Sequence, residues 1–306
     1  MHNSNTFPSF PLILFTLLTF PIFSNSQIPH FDYFNPGPRV DHCAFAYENS
    51  FYVFGGTGNG NHSYFSYINT PFNKTNLKWN YLPVTNAVNV NRPACSVTSK
   101  GILYVTGDAA ASSDNNYAGV QSFDLTKGTS GIWYTNTPPN TDNKLQHLPR
   151  GHKSIVVQTS AGGEEVLFIF GGSNYAFILN LEYSRLENVT ETEDAPPPYM
   201  DEFALTSSKD NIYIIGNRTE ESGRNLWGFN IPTSKWFNPQ IVVQITVGAH
   251  VEYAGKLNDT IYLIDSGHSL MWKWNLVDNK TESFREAGLR TFGYAFAQLP
   301  GSDVFI

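Results

Sequence analysis

Three observations predict an all-β chain, a β-propeller of four-stranded antiparallel blades with five blades plus a partial sixth. First, aromatic residues make up 15% of the 306 residues, and charged residues only 15%. Flat rings suit the pleated surface of a strand. Second, five short apolar runs end alike and recur roughly every 45 to 65 residues. Third, each run sits among three further strand-like elements in constant order, and no stretch reads as an amphipathic helix. A single four-stranded sheet cannot bury both its faces, whereas sheets stacked around an axis do.

The five runs are Phe51-Tyr-Val-Phe-Gly55-Gly56, Ile102-Leu-Tyr-Val-Thr-Gly107, Val166-Leu-Phe-Ile-Phe-Gly171-Gly172, Asn211-Ile-Tyr-Ile-Ile-Gly216 and Thr260-Ile-Tyr-Leu-Ile-Asp265. Continuous apolarity predicts strands buried on both faces. The glycines at 55, 56, 107, 171, 172 and 216 fit strand ends with no room for a Cβ.

An element about a dozen residues earlier reads Arg39-Val-Asp-His42-Cys43, then Arg92-Pro-Ala-Cys95, then Arg150-Gly-His152, with weaker versions at Asp201 and His250. A third element follows each run: Ser122-Phe-Asp124-Leu, Ile178-Leu-Asn180-Leu, Gly228-Phe-Asn230-Ile and Lys273-Trp-Asn275-Leu, with Phe65-Ser-Tyr67-Ile in the first unit. Its Asp or Asn is expected to start a turn through the side-chain oxygen. The fourth element supplies a ring, Trp79, Trp133, Trp236 or Phe284, where the third unit has only Leu186.

This order is similar to the kelch repeat, and the resemblance covers residues 39 to 306. The units match with Gly-Asp replacing Gly-Gly in the second, and the fourth and fifth lose the pair. The blades are expected at about 39–86, 87–138, 148–192, 199–240 and 248–286, with a partial sixth at 290–306. The resemblance implies six or seven blades, often closed by a strand from the other terminus. Segment 27–38 could offer one such strand, so the sixth unit, ending at Ile306, is expected to be cut short. An uncovered edge strand favours a fragment over an open ring, and a missing C-terminal anchor stays open.

Residues 1–26 resemble a signal peptide, with an apolar run from Phe7 to Phe23 and small residues at Ser24 and Ser26. The alternative is an uncleaved anchor. No other segment approaches a membrane span. Sequons at Asn61, Asn73, Asn188, Asn217, Asn258 and Asn279 fit a secreted or cell-surface glycoprotein. In that setting Cys43 and Cys95, each twelve residues before a repeat glycine, either form a disulfide or stay as two buried thiols.

Net charge is -7 and there is no basic run, so nothing points to nucleic acid. Kelch-like propellers include copper radical oxidases, which implies a search for two His, two Tyr and a Tyr-linked Cys. The candidates are His42, His152, His250 and His268, of which the first two sit at the repeat's own histidine position. The pairs Glu164-Glu165, Asp201-Glu202 and Glu220-Glu221 read as solvated loop charge rather than glycosidase carboxylates. Gly55-Gly-Thr-Gly-Asn-Gly60 precedes a strand, not the helix a phosphate site needs. No catalytic residue, cofactor site or metal site is assigned. The sequence predicts a scaffold binding a protein or glycan through loops, the alternative being a galactose-oxidase-like copper oxidase or other carbohydrate-active enzyme. Tyr64, Tyr117, Tyr175 and Trp227 either contact that ligand or pack between blades.

Overall fold

The computed structural model describes residues 40–57, 64–71, 78–87, 90–109, 119–135, 152–160, 163–171, 176–189, 203–216, 226–239, 251–257, 260–265, 270–278 and 280–285. The expected signal segment, residues 27–38 and the sixth unit at 290–306 lie outside them. The described residues form five four-stranded antiparallel sheets. Blade one contains β1 (Val40–Tyr47), β2 (Ser50–Thr57), β3 (Phe65–Asn69) and β4 (Asn80–Tyr81). Blade two contains β5 (Val90–Val97), β6 (Ile102–Ala109), β7 (Val120–Asp124) and β8 (Trp133–Thr135). Blade three contains β9 (Lys153–Gln158), β10 (Glu165–Phe170), β11 (Ala176–Asn180) and β12 (Arg185–Asn188). Blade four contains β13 (Phe203–Ser208), β14 (Asn211–Gly216), β15 (Leu226–Asn230) and β16 (Lys235–Phe237). Blade five contains β17 (Val251–Leu257), β18 (Thr260–Asp265), β19 (Leu270–Asn275) and β20 (Lys280–Arg285).

The four sequence elements are therefore the four strands, in chain order across each sheet. First strands of consecutive blades lie side by side, β1 by β5, β5 by β9, β9 by β13 and β13 by β17. The five apolar runs are the second strands, and their alternation supplies two cores each. In β10, Val166, Phe168 and Phe170 pack with Phe203, Ile212, Ile214, Phe229 and Trp236 of blade four. Leu167 and Ile169 pack instead with Val120 and Tyr104 of blade two. Burying one such Leu, Ile or Phe is worth about 1.5–3 kcal/mol. A run apolar on both faces is what a strand between two neighbours requires.

The remaining interfaces repeat the scheme. Phe45, Tyr52, Phe54 and Phe65 meet Leu103, Val105, Phe123 and Trp133 between blades one and two. Ala204, Ile215 and Leu226 meet Ile261, Leu263, Trp272 and Trp274 between blades four and five. A further cluster, Phe51, Val53 and Ile68, is on the other face of blade one.

The Asp and Asn at the ends of the third strands start turns as expected. The Asp124 carboxylate accepts from the Thr126 amide at 3.0 Å, Asn180 Oδ1 from the Glu182 amide at 3.0 Å, Asn230 Oδ1 from the Thr233 amide at 3.1 Å and Asn275 Oδ1 from the Val277 amide at 2.8 Å. The next residue enters a core: Leu125 and Ile231 are buried there.

Candidate functional site

The repeat glycines lie where second strands meet the start of a first strand. Gly55 and Gly56 have φ of 70° and 81°. A Cβ on Gly55 would lie 2.9 Å from Pro93 Cγ in β5. Gly171 has φ of 137°, and a Cβ there would lie 2.5 Å from the His152 Cα. Gly107 keeps a negative φ, but its Cβ would meet Val90 Cβ at 2.8 Å. Gly216 closes β14 opposite Phe203. At 55, 107 and 171 the neighbouring strand start leaves no room for a Cβ; Gly172 lies outside the described residues.

The fourth-strand rings pack between blades. Trp133 and Trp236 are buried, and their indole N–H groups donate to Pro83 O at 2.8 Å and Val189 O at 2.7 Å. Each acceptor follows the fourth strand of the preceding blade. Trp79 is half-buried with its ring edge toward Phe51 at 6.4 Å. Leu186 packs partly buried beside Leu179. For Phe284 only the backbone pairing with Met271 is described.

Near the axis, Cys43 of β1 and Cys95 of β5 are joined in a disulfide, with Cα atoms 5.8 Å apart. It crosslinks blades one and two through their first strands. Blades two and three are tied there by a Thr106 Oγ1–His152 Nε2 hydrogen bond of 3.0 Å and by the Ser96 hydroxyl donating to Ser154 O at 2.8 Å. His152 is buried, with a ring nitrogen engaged by Thr106. Among the described residues no three His, Cys, Asp or Glu side chains gather around a point that would hold a metal. His250 and His268 lie outside the described residues, as do Asp201-Glu202 and Glu220-Glu221.

The first acidic pair has structural partners. Glu165 Oε1 accepts from the Ser99 amide of blade two at 2.6 Å, and Glu164 Oε2 from Asn180 Nδ2 at 3.2 Å. Asp210 does the same between blades three and four. It accepts from the Ser160 amide at 2.7 Å and also from the Ser160 hydroxyl. The hydroxyl, then the amide, hold its carboxyl below the usual carboxylate range. Sequence reading missed this clasp, although its signal is present: Glu165 and Asp210 each stand six positions before a repeat glycine, 171 and 216.

Of the four aromatics considered for ligand contact, two are described, and both pack internally. Tyr64 is buried edge-to-face with Tyr81 at 5.6 Å, and Trp227 is buried in the core between blades three and four. Tyr117 and Tyr175 lie outside the described residues. So do all the sequons except Asn188, which is exposed at the end of β12.

Strand direction sorts the connections by end. First-to-second and third-to-fourth links leave from one end of a blade, for example 48–49, 209–210, 181–184 and 231–234. Second-to-third links and the crossings to the next blade join strand ends at the opposite end. These include 110–119, 217–225, 136–152, 189–202 and 238–250. The three longest connections, 136–152, 189–202 and 238–250, thus attach to one end, which makes it the candidate binding surface, while link 70–79 is at the other.

The solved structure described as "Structure of YjhT" is similar to this chain, with a TM-score of 0.58, 12% identity, and coverage of 89% of this chain and 90% of that one. At that identity the likeness concerns the fold. Among curated protein sequences none matches significantly. The family model described as the KLHDC2/KLHL20/DRC7 Kelch-repeats domain matches residues 42–267. With its five stacked four-stranded blades and this match over most of its length, the chain belongs to that kelch-repeat family.

Proposed function

We propose that the protein is a secreted or cell-surface kelch propeller that binds a protein or glycan ligand through its long-loop end and has no catalytic activity of its own. One observation carries the reading: the three longest connections, 136–152, 189–202 and 238–250, all attach to the same end of the blades. The blades beneath are held by apolar cores, a disulfide and inter-blade hydrogen bonds. A rigid body with long connections at one end suits recognition. The signal-like N-terminus and the six sequons support a secretory route.

The test is expression of the whole chain through a secretory pathway, followed by probing arrays of extracellular proteins and glycans. Saturable binding that is lost on replacing 189–200 with a Gly-Ser linker, and kept on replacing turn 209–210, is the expected result. Stoichiometric copper in the purified protein, with alcohol oxidation that depends on it, would overturn the scaffold reading. Retention of an uncleaved segment 1–26 in a membrane fraction would replace secretion by anchoring.

A further inference from the structure

We propose that Asn188 carries an N-linked glycan, and that this glycan keeps the outer edge of blade three from pairing with a second copy of the chain. The inference rests on the secretory reading, because the sugar donor is met on that route. The acceptor segment is Asn188-Val189-Thr190. Transfer joins Asn188 Nδ2 to the anomeric carbon of an oligosaccharide held on a polyprenyl diphosphate. The bond from that carbon to the diphosphate oxygen breaks, the diphosphate leaves with the electron pair, and the amide loses one proton to the transferase.

The fold has room for the product and sets when it forms. Asn188 is exposed at the last position of β12, so a glycan there displaces no core residue. Val189 is buried; its N–H donates to Ala176 O at 2.9 Å, and its carbonyl accepts from Trp236 Nε1 at 2.7 Å. A transferase needs the acceptor as a free extended segment. Transfer therefore precedes the docking of Trp236, which stands 47 residues after Val189. Synthesis from the N-terminus supplies that interval.

The edge itself shows what the glycan does. Among the described residues β12 is the edge of its sheet and pairs with β11 alone. The Val189–Ala176 hydrogen bond fixes the alternation along the strand. Glu187, two residues back, turns its N–H and C=O toward β11, and Leu186 turns them outward. An antiparallel pairing of two β12 strands about Leu186 would join the two Leu186 residues through both backbone hydrogen bonds. It would also set Arg185 of each copy opposite Glu187 of the other, an attractive cross-strand pair. The bare strand is thus complementary to itself, as a two-fold interface requires. Asn188 stands about 6.6 Å along the strand from Leu186, and a second strand must approach to about 4.8 Å. A branched glycan on Asn188 occupies that approach.

The other blades support the assignment. Outer strands β4, β8 and β16 have two, three and three residues, whereas β12 has four and β20 has six. Very short edges offer few backbone groups to a partner, and longer ones need another guard. The sequons divide in the same way. Asn188 ends β12 and Asn279 immediately precedes β20, while none stands within or next to the three shorter strands.

The test uses the full chain made through a secretory pathway. Enzymatic release of glycans in ¹⁸O water, read by peptide mass, should mark Asn188 as occupied. Thr190→Ala removes the acceptor and leaves Asn188 in place, and Thr190→Ser keeps it. In sedimentation the Thr190→Ala chain should self-associate about tenfold more tightly than the parent or the Thr190→Ser chain. Hydrogen exchange at the Leu186 amide should slow in the associated form. Adding Arg185→Glu to Thr190→Ala sets like charges opposite each other and should return the chain to monomer. An unoccupied Asn188 beside an occupied Asn61 or Asn217 would overturn this inference and leave the secretory reading standing. Six unoccupied sequons would overturn both. A Thr190→Ala chain as monomeric as the parent, association without slower exchange at Leu186, or association untouched by Arg185→Glu would each overturn the edge-guarding role.

Discussion

Gly171 shows how one residue can be dictated by its neighbour. Its φ of 137° is open to glycine, and a Cβ would lie 2.5 Å from the His152 backbone. Neither strain nor clash has a cheap escape, so Gly171→Ala should cost about 2–4 kcal/mol. Gly163, with φ of 68° and only Gln158 Nε2 at 3.7 Å, should cost about 1 kcal/mol. Urea unfolding of the two variants compares them, and equal losses would refute the close-approach argument. Asp210 makes the corresponding electrostatic case. The Ser160 hydroxyl and amide lower its folded pKa, so its contribution is present above the unfolded value of about 3.9 and lost as pH falls through the folded one. Asp210→Asn should therefore lower the urea midpoint at pH 7, and the gap should close toward pH 2. A gap that is the same at both pH values would mean that the clasp does not depend on charge.

At the scale of the element, the repeat was legible where chemistry repeats. The apolar second strands, the turn-forming Asp124, Asn180, Asn230 and Asn275, and the outer tryptophans recur at fixed offsets because every blade solves the same burial problem. Trp236 tests what the outer strand contributes. Its indole donates to Val189 O across the blade boundary and its ring packs on Phe168 and Phe229. Trp236→Phe keeps much of the packing but orphans that carbonyl, and should cost about 1–3 kcal/mol. Trp236→Ala also leaves a cavity, and should cost about 3–5 kcal/mol. Thermal melts of both rank them; a Phe variant as stable as the original would reduce the hydrogen bond to an ornament. The charge on the outer strand of blade three was not legible, because it departs from the pattern of the next blade. Glu187 differs from Phe237 only as one surface residue from another until register sets it opposite Ile178.

At the scale of the whole molecule, the Cys43–Cys95 disulfide joins positions 52 residues apart. Closing a loop of that length in the unfolded chain is worth about 4 kcal/mol on the chain-entropy model. Cys43→Ser with Cys95→Ser, or reduction of the native protein, should therefore lower unfolding free energy by about that amount. A loss below about 1 kcal/mol would show that the apolar interface of Phe54, Phe65 and Trp133 already holds blades one and two without it. No helix among the described residues is long and apolar enough to cross a membrane. The proposed secretory setting of the molecule therefore rests on the N-terminal segment and the sequons.

The sequence by itself determined the repeating unit: four strands, their order, the turn residues between them and the glycines that let backbones approach. These follow from local periodicity and steric limits, which a linear reading captures. Only the tertiary structure decided which residues meet across blades. The Thr106–His152 bond and the Ser160–Asp210 clasp are products of contact between strands from different parts of the chain. Such pairings have no local period, so they become visible only when the blades are stacked.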